Sequence, residues 1–271
     1  MADYNLNDLI ALMARLRDPE DGCPWDLKQD FASIVPHTLE EAYEVADAIE
    51  RQDWDHLQGE LGDLLFQVIF YARLAEEQHG YGLAEVIDTL VAKLIRRHPH
   101  VFPDGTLTSR CTTEALDEQR IKDTWEAIKA DERSEKPLQE SRVLDDIPMA
   151  LPALNRAEKL QKRAARVGFD WGDVLPVLDK IEEEIAELRE AIAAGDELEM
   201  EHELGDLMFA QVNLARHMGI NPESALRYTN QKFTQRFSYI EDQVKASSRR
   251  WADFTLDELD SWWNEAKRKG L

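Results

Sequence analysis

Two pairs of acids stand where chemistry could be done. Glu41 and Glu44 lie three residues apart, as do Glu60 and Asp63, and the pattern returns at Glu184 and Glu187 and at Glu203 and Asp206. Residues at i and i+3 share a helix face, so each pair predicts two carboxylates leaving one helix in the same direction. Four converging carboxylates cannot all ionise side by side without a counter-charge. A hard oxygen set with no Cys or His beside it selects magnesium or manganese. The plain alternative in so charged a chain is a solvated acidic face. Recurrence argues against it, because both pairs return at one offset, 143, while the residues between them, 51–59 against 194–202, have diverged.

The elements that position these acids are duplicated too. Over 40–73 the second copy repeats 14 of 34 residues, where chance gives roughly two. Lys93 and Arg97 return as Lys232 and Arg236 at offset 139, and Trp125 and Lys129 as Trp263 and Lys267 at offset 138. The expected organisation is a first domain over 1–110, a helical linker over 111–150 with a charged helix near 113–133, and a second domain over 151–271. Leu39, Ala42, Val45, Ala46 and Ile49 form one helical stripe, and Leu61, Leu64, Leu65, Val68 and Ala72 another. Thr38 and Asp179 are read as helix-start signals, and 51–54 as a turn. Leu61, Leu64 and Leu65 should face the core, which would leave Glu60 and Asp63 at least half buried. Gly62 and Gly205, inside helices, fit a close backbone approach or helix packing alone.

Magnesium held by a few carboxylates completes its shell with water and phosphates, so cations should gather nearby. Lys180 lies one turn before Glu184, and Lys232 and Arg236 form an i, i+4 pair. The first copy keeps Lys93 and Arg97 but has His37 where the second has Lys180. Trp125 and Trp263 suit either a base stack or a core. A di-iron bundle needs Glu-x-x-His twice, and Glu76/His79 and Glu199/His202 have that spacing, but neither His takes part in the repeat. A phosphate-cradling Gly-x-x-x-x-Gly-Lys-Ser/Thr loop is missing from the sequence.

Composition narrows the class. The chain has 271 residues and a net charge of −23, which opposes nucleic-acid backbones and anionic membranes. With Gly 12 and Pro 10 it is too poor in turn formers for a many-stranded sandwich, and a helical protein is expected. Two cysteines, Cys23 and Cys111, give no zinc or disulfide framework, and the start has no basic leader. A reducing cytoplasm fits best.

The doubled Glu-Glu-x-x-Glu and Glu-x-x-Asp motifs resemble the MazG nucleoside triphosphate pyrophosphohydrolases. Gly22–Asp26 and Arg97–Phe102 are similar to that family's first domain, and Val167–Trp171 to the opening of its second. The resemblance covers nearly the whole chain. It implies an all-α fold of duplicated helical bundles, the all-α NTP pyrophosphatase type, and a homodimer with helices shared between subunits. It also implies magnesium and hydrolysis of nucleoside triphosphates to monophosphate and pyrophosphate. Carried onto this sequence, Glu184, Glu187, Glu203 and Asp206 become metal ligands or the base that orients water. Lys180, Lys232 and Arg236 become phosphate holders, with Trp263, Lys267 and Lys129 near the nucleotide. Glu41, Glu44, Glu60 and Asp63 match the same motif as a second possible metal site, with His37 as the departure. The rival from another class is a non-catalytic acidic helical protein that binds or regulates partners.

Overall fold

A computed structural model describes residues 4–110, 124, 125, 128 and 142–271, and among these there is no strand. The charged helix expected near 113–133, apart from residues 124, 125 and 128, lies outside the described residues, as do Lys129 and Cys111. The chain divides into two compact units, 1–137 and 138–271. Among the described residues no helix is long and apolar enough to cross a membrane.

The first unit contains α1 (Leu6–Leu16), α2 (Phe31–Glu50), α3 (Trp54–His79) and α4 (Leu83–Arg97). The second contains α5 (Ala153–Ala165), α6 (Leu175–Ala194), α7 (Glu197–His217), α8 (Pro222–Ser247) and α9 (Leu256–Arg268). Helix α2 begins earlier than the sequence suggests. The Asp30 carboxylate accepts from the Ser33 backbone N–H at 2.8 Å, and the Ser33 hydroxyl receives the Asp30 N–H at 2.9 Å, a reciprocal cap. Thr38 therefore sits inside the helix, where its hydroxyl donates to the Ile34 carbonyl oxygen. Asp179 is likewise internal, because α6 starts at Leu175 with Pro176 in its first turn, where a missing N–H costs nothing.

The turns between α2 and α3 and between α6 and α7 are equivalent. Gln52 and Gly195 occupy the same repeat position, at φ of 57° and 70°. Asp53 and Asp196 follow, each capping the next helix by accepting backbone N–H bonds. So short a loop returns the chain antiparallel, and it lays α2 along α3 and α6 along α7. In the first unit the buried core is Met13, Ile34, Ile69, Phe70 and Leu74, ringed by Leu9, Phe31, Phe66, Tyr71 and Leu83.

Three of the five residues in each expected stripe, Val68 among them, are exposed. Glu60, Gln67 and Phe70 lie on the buried side of α3, while Leu61 and Leu65 are 51% and 42% exposed. Leu204 and Met208, their counterparts on α7, are 50% and 47% exposed, and Leu39, Ala42 and Ile49 of α2 also face out. Periodicity identifies an apolar face without saying what covers it, and here the same chain leaves one such face open. The burial expected of the acids is met at Glu60, whereas Asp63 is exposed. Gly62 and Gly205 also depart from expectation, since a Cβ built on either meets nothing within 4 Å.

Candidate active site

Each helical hairpin brings its acids together across two helices. One carboxylate oxygen from each of Glu41, Glu44 and Glu60 lies within 4.8 Å of the others, and Glu184, Glu187 and Glu203 repeat this in the second unit. Asp63 and Asp206, one turn further along α3 and α7, stand outside these triplets. They are still close enough to push up the pKa of Glu41 and Glu203 respectively. Burial is the larger cause at both, followed by the neighbouring carboxylates, and Glu187 is also raised, first by burial. Acids that resist ionisation through burial and then through one another suit a cation, and with oxygen ligands alone each triplet could hold a hard metal ion.

The two triplets differ in their counter-charges. Lys180 Nζ lies 2.8 Å from both Glu183 Oε1 and the buried Glu184 Oε1, and these bonds hold its pKa well above the ordinary lysine value. In the first unit, His37 takes that place, 3.8 Å from Glu40 and 6.0 Å from the Trp25 ring, edge to face. Glu60 is bonded instead to His56 at 2.9 Å, a partner that the sequence reading missed because the second copy has Glu199 there.

The other cations expected at the second site stand elsewhere in their unit. Lys232, Arg236 and Lys267 line a separate cavity of about 380 Å³ between α8 and α9. Arg236 and Lys267 lie 5.5 and 5.9 Å from the Trp263 ring, which also packs against Phe233 at 5.1 Å. Arg236 Nε donates to the Leu271 carbonyl oxygen at 2.8 Å. In the first unit Lys93 and Arg97 sit on α4, and Trp125 meets His98 edge to face at 5.0 Å.

What does adjoin the second triplet is a chamber of about 520 Å³, within the range of small-molecule sites. Lys180, Glu184 and Asp206 border it, and its walls include Phe169, Trp171 and Val177. Asp170, from the same loop, is held by Arg216 and His217, which keep its carboxyl below the usual aspartate value. The wall residue Asn213 is 4% exposed and corresponds, at offset 143, to Phe70, which is fully buried in the core of the first unit. A ring fills in one copy the place that a polar wall residue takes in the other.

Residues 29–102 and 173–240 match the MazG nucleotide pyrophosphohydrolase domain, once in each unit. The chain belongs to the MazG family. A nucleoside triphosphate pyrophosphohydrolase of Escherichia coli K12 is 47% identical over 270 residues, 98% of this chain and 98% of its own length. The Thermotoga maritima relative, named nucleoside triphosphate pyrophosphohydrolase/pyrophosphatase MazG, is 42% identical over 260 residues, covering 96% of this chain and 94% of its own. Bacillus subtilis YabN is 43% identical over 265 residues, 97% of this chain and 52% of YabN. Both MazG matches include the acids and span the hairpins that present them.

Proposed function

We propose that the second unit carries the catalytic centre of this nucleoside triphosphate pyrophosphohydrolase. The observation behind this is the coincidence at one place of the Glu184, Glu187 and Glu203 oxygens, the Lys180 ammonium and the chamber. The all-oxygen donor set fits magnesium, with manganese as a substitute, and what such a cation supplies when bound is positive charge beside the phosphate oxygens. Lys180, released from Glu183, holds a phosphate from the same side. Asp206, exposed at the chamber border, orients the attacking water. Water attacks the α-phosphorus in line, the bond to the bridging oxygen breaks, and pyrophosphate leaves with a nucleoside monophosphate as the other product. No covalent nucleophile is needed.

The open apolar faces, one on each unit, support a homodimer, because Leu61 and Leu65 of the first and Leu204 and Met208 of the second then have something to pack against. In that dimer the Lys232, Arg236 and Lys267 group, which lines a cavity apart from the acids of its own chain, reaches phosphates held by the partner subunit, with Trp263 alongside. Lys129 belongs to this nucleotide group through the family resemblance alone. The first unit, with its acids but without the lysine, serves dimer structure or a second substrate. We retain 1–110, 111–150 and 151–271 as the working boundaries, and a cytoplasmic enzyme with no nucleic-acid or membrane partner as the working setting.

Product analysis tests the reaction. With magnesium and ATP the products should be AMP and pyrophosphate, activity should vanish in excess EDTA, and magnesium or manganese should restore it. ADP as the main product, or turnover that persists in EDTA, would overturn the reading.

A further inference from the structure

One residue that lines the chamber carries, just beneath the surface, a polar atom that the fold leaves unused. Gln161, on α5, is more than nine-tenths buried and lines the chamber. Its Nε2 donates to the Phe209 carbonyl oxygen at 2.8 Å, while its Oε1 is buried without a hydrogen-bond partner. Turning the carboxamide over gives no relief, since that would set Oε1 against the Phe209 oxygen, one acceptor against another. Native structures leave few buried acceptors unpaired, and those few call for a reason. Asn213 lines the same chamber. Its Oδ1 is taken by Arg216 Nε and Nη2 at 2.9 and 2.7 Å, which fixes the side chain and leaves the amide nitrogen as its group for a ligand.

The chamber's other border is Lys180, Glu184 and Asp206, where the phosphates are cleaved in the reading above. A nucleotide anchored there has its sugar at the rim and its base inside, between Phe169, Trp171 and Val177. The edge of the base farthest from the sugar then comes deepest. We propose that the chamber takes the nucleobase, and that Gln161, turning its Oε1 to the chamber surface as the base enters, accepts a hydrogen bond there from an N–H on that distal edge. This rests on the acids being the phosphate-cleaving site and adds what the site selects. Adenine and cytosine offer an exocyclic amino group there, guanine its ring N–H, and uracil and thymine theirs. A lone acceptor therefore admits every ordinary base and rejects one that presents no N–H. The device suits an enzyme of wide nucleotide range, in which the chamber checks for a base without reading which one it is.

The test compares ATP with purine riboside 5′-triphosphate, which lacks only the 6-amino group, on wild type and on Gln161→Met. Wild type should prefer ATP by about tenfold or more in kcat/KM, mainly through KM, because a built acceptor left facing C–H forfeits its bond. In Gln161→Met the ratio should fall to within about threefold of unity. Each ratio compares two substrates on one sample, so a partly unfolded variant does not distort it. Equilibrium binding of the α,β-methylene analogues of both nucleotides reads the same preference without turnover. A preparation that binds with this preference but releases no pyrophosphate would keep the base contact and remove the hydrolase reading. A wild-type ratio near one, as when a trapped water satisfies Oε1, would overturn the proposal, and so would a ratio that Gln161→Met leaves intact.

Discussion

Replacing Glu184 by glutamine separates the roles of the two units. The carboxamide keeps the side chain's volume in a position that is 5% exposed, so packing is preserved while one negative charge leaves the triplet. Lys180 keeps its bond to Glu183 but loses its charged partner at 2.8 Å. Removing one preorganised charge-stabilising group from an active site lowers kcat by about 10²–10³, or about 2.7–4 kcal/mol of barrier. We therefore expect Glu184→Gln to reduce turnover at least about a hundredfold. Glu41→Gln makes the same change in a triplet whose only neighbour at the lysine position is the half-exposed His37, and in a unit where Phe70 stands in the place of Asn213. Its effect should stay below about threefold, under about 0.7 kcal/mol. Steady-state pyrophosphate release from magnesium ATP measures both, with helical circular dichroism and sedimentation confirming that each variant is folded and associated. Equal losses in two folded variants would show that the units work alike and would refute this assignment.

Three further outcomes follow from the geometry. At φ 57° Gln52 sits in a region that costs a side chain about 1–2 kcal/mol, so Gln52→Gly should raise Tm by about 1–3 °C after glycine's own entropy cost, and Gly195→Ala should lower it; calorimetry that finds neither change refutes the backbone account. Glu187 and Glu203 hold their protons more tightly in the folded protein than the usual glutamate value of 4.5. Metal-free stability should accordingly rise as pH falls through the range above 4.5, and that gain should be lost as pH rises back through their folded values. Melting curves in EDTA should show a shallower slope for Glu203→Gln, and a slope unchanged by the substitution counts against the clustered acids. Finally, a Glu184→Gln chain mixed with a Lys232→Ala/Arg236→Ala chain should regain activity that neither has alone, by pairing intact acids with intact cations across the dimer. No recovery after subunit exchange would place both sets in one chain.

Duplication made the two acid clusters of the candidate site legible. The acids and the Lys232/Arg236 pair recur at fixed offsets, and a helix face follows directly from three- and four-residue spacing. The start of α2 was not legible, because Asp30 and Ser33 form a cap as good as the one imagined at Thr38, and only the three-dimensional bonds decide between them. The open side of Leu61 and Leu65 was hidden for a different reason: apolar spacing is the same whether a face is covered by its own chain or by another. Asn213 opposite Phe70 was visible in the repeat but reads there as ordinary divergence. Gln161 lies on α5, before the repeated stretch, so nothing in the duplication draws attention to it.

The Glu-Leu-Gly-Asp turn of α7 writes two tasks into four consecutive residues. Glu203 leans inward to the triplet, Leu204 points outward at 50% exposure, and Gly205 leaves open space around its Cα. A small rotation of α7 about its axis cannot move the carboxylate without moving the leucine. Occupancy of the inner face and coverage of the outer one therefore share a free energy, and linkage makes that sharing reciprocal. In the proposed metal-bound dimer, a cation that favours one setting of α7 would change the affinity for the partner by some factor, and the partner would change the cation's affinity by that same factor. A molecule bound against Leu204 would consequently change cation affinity from the far side of the helix, without entering the chamber.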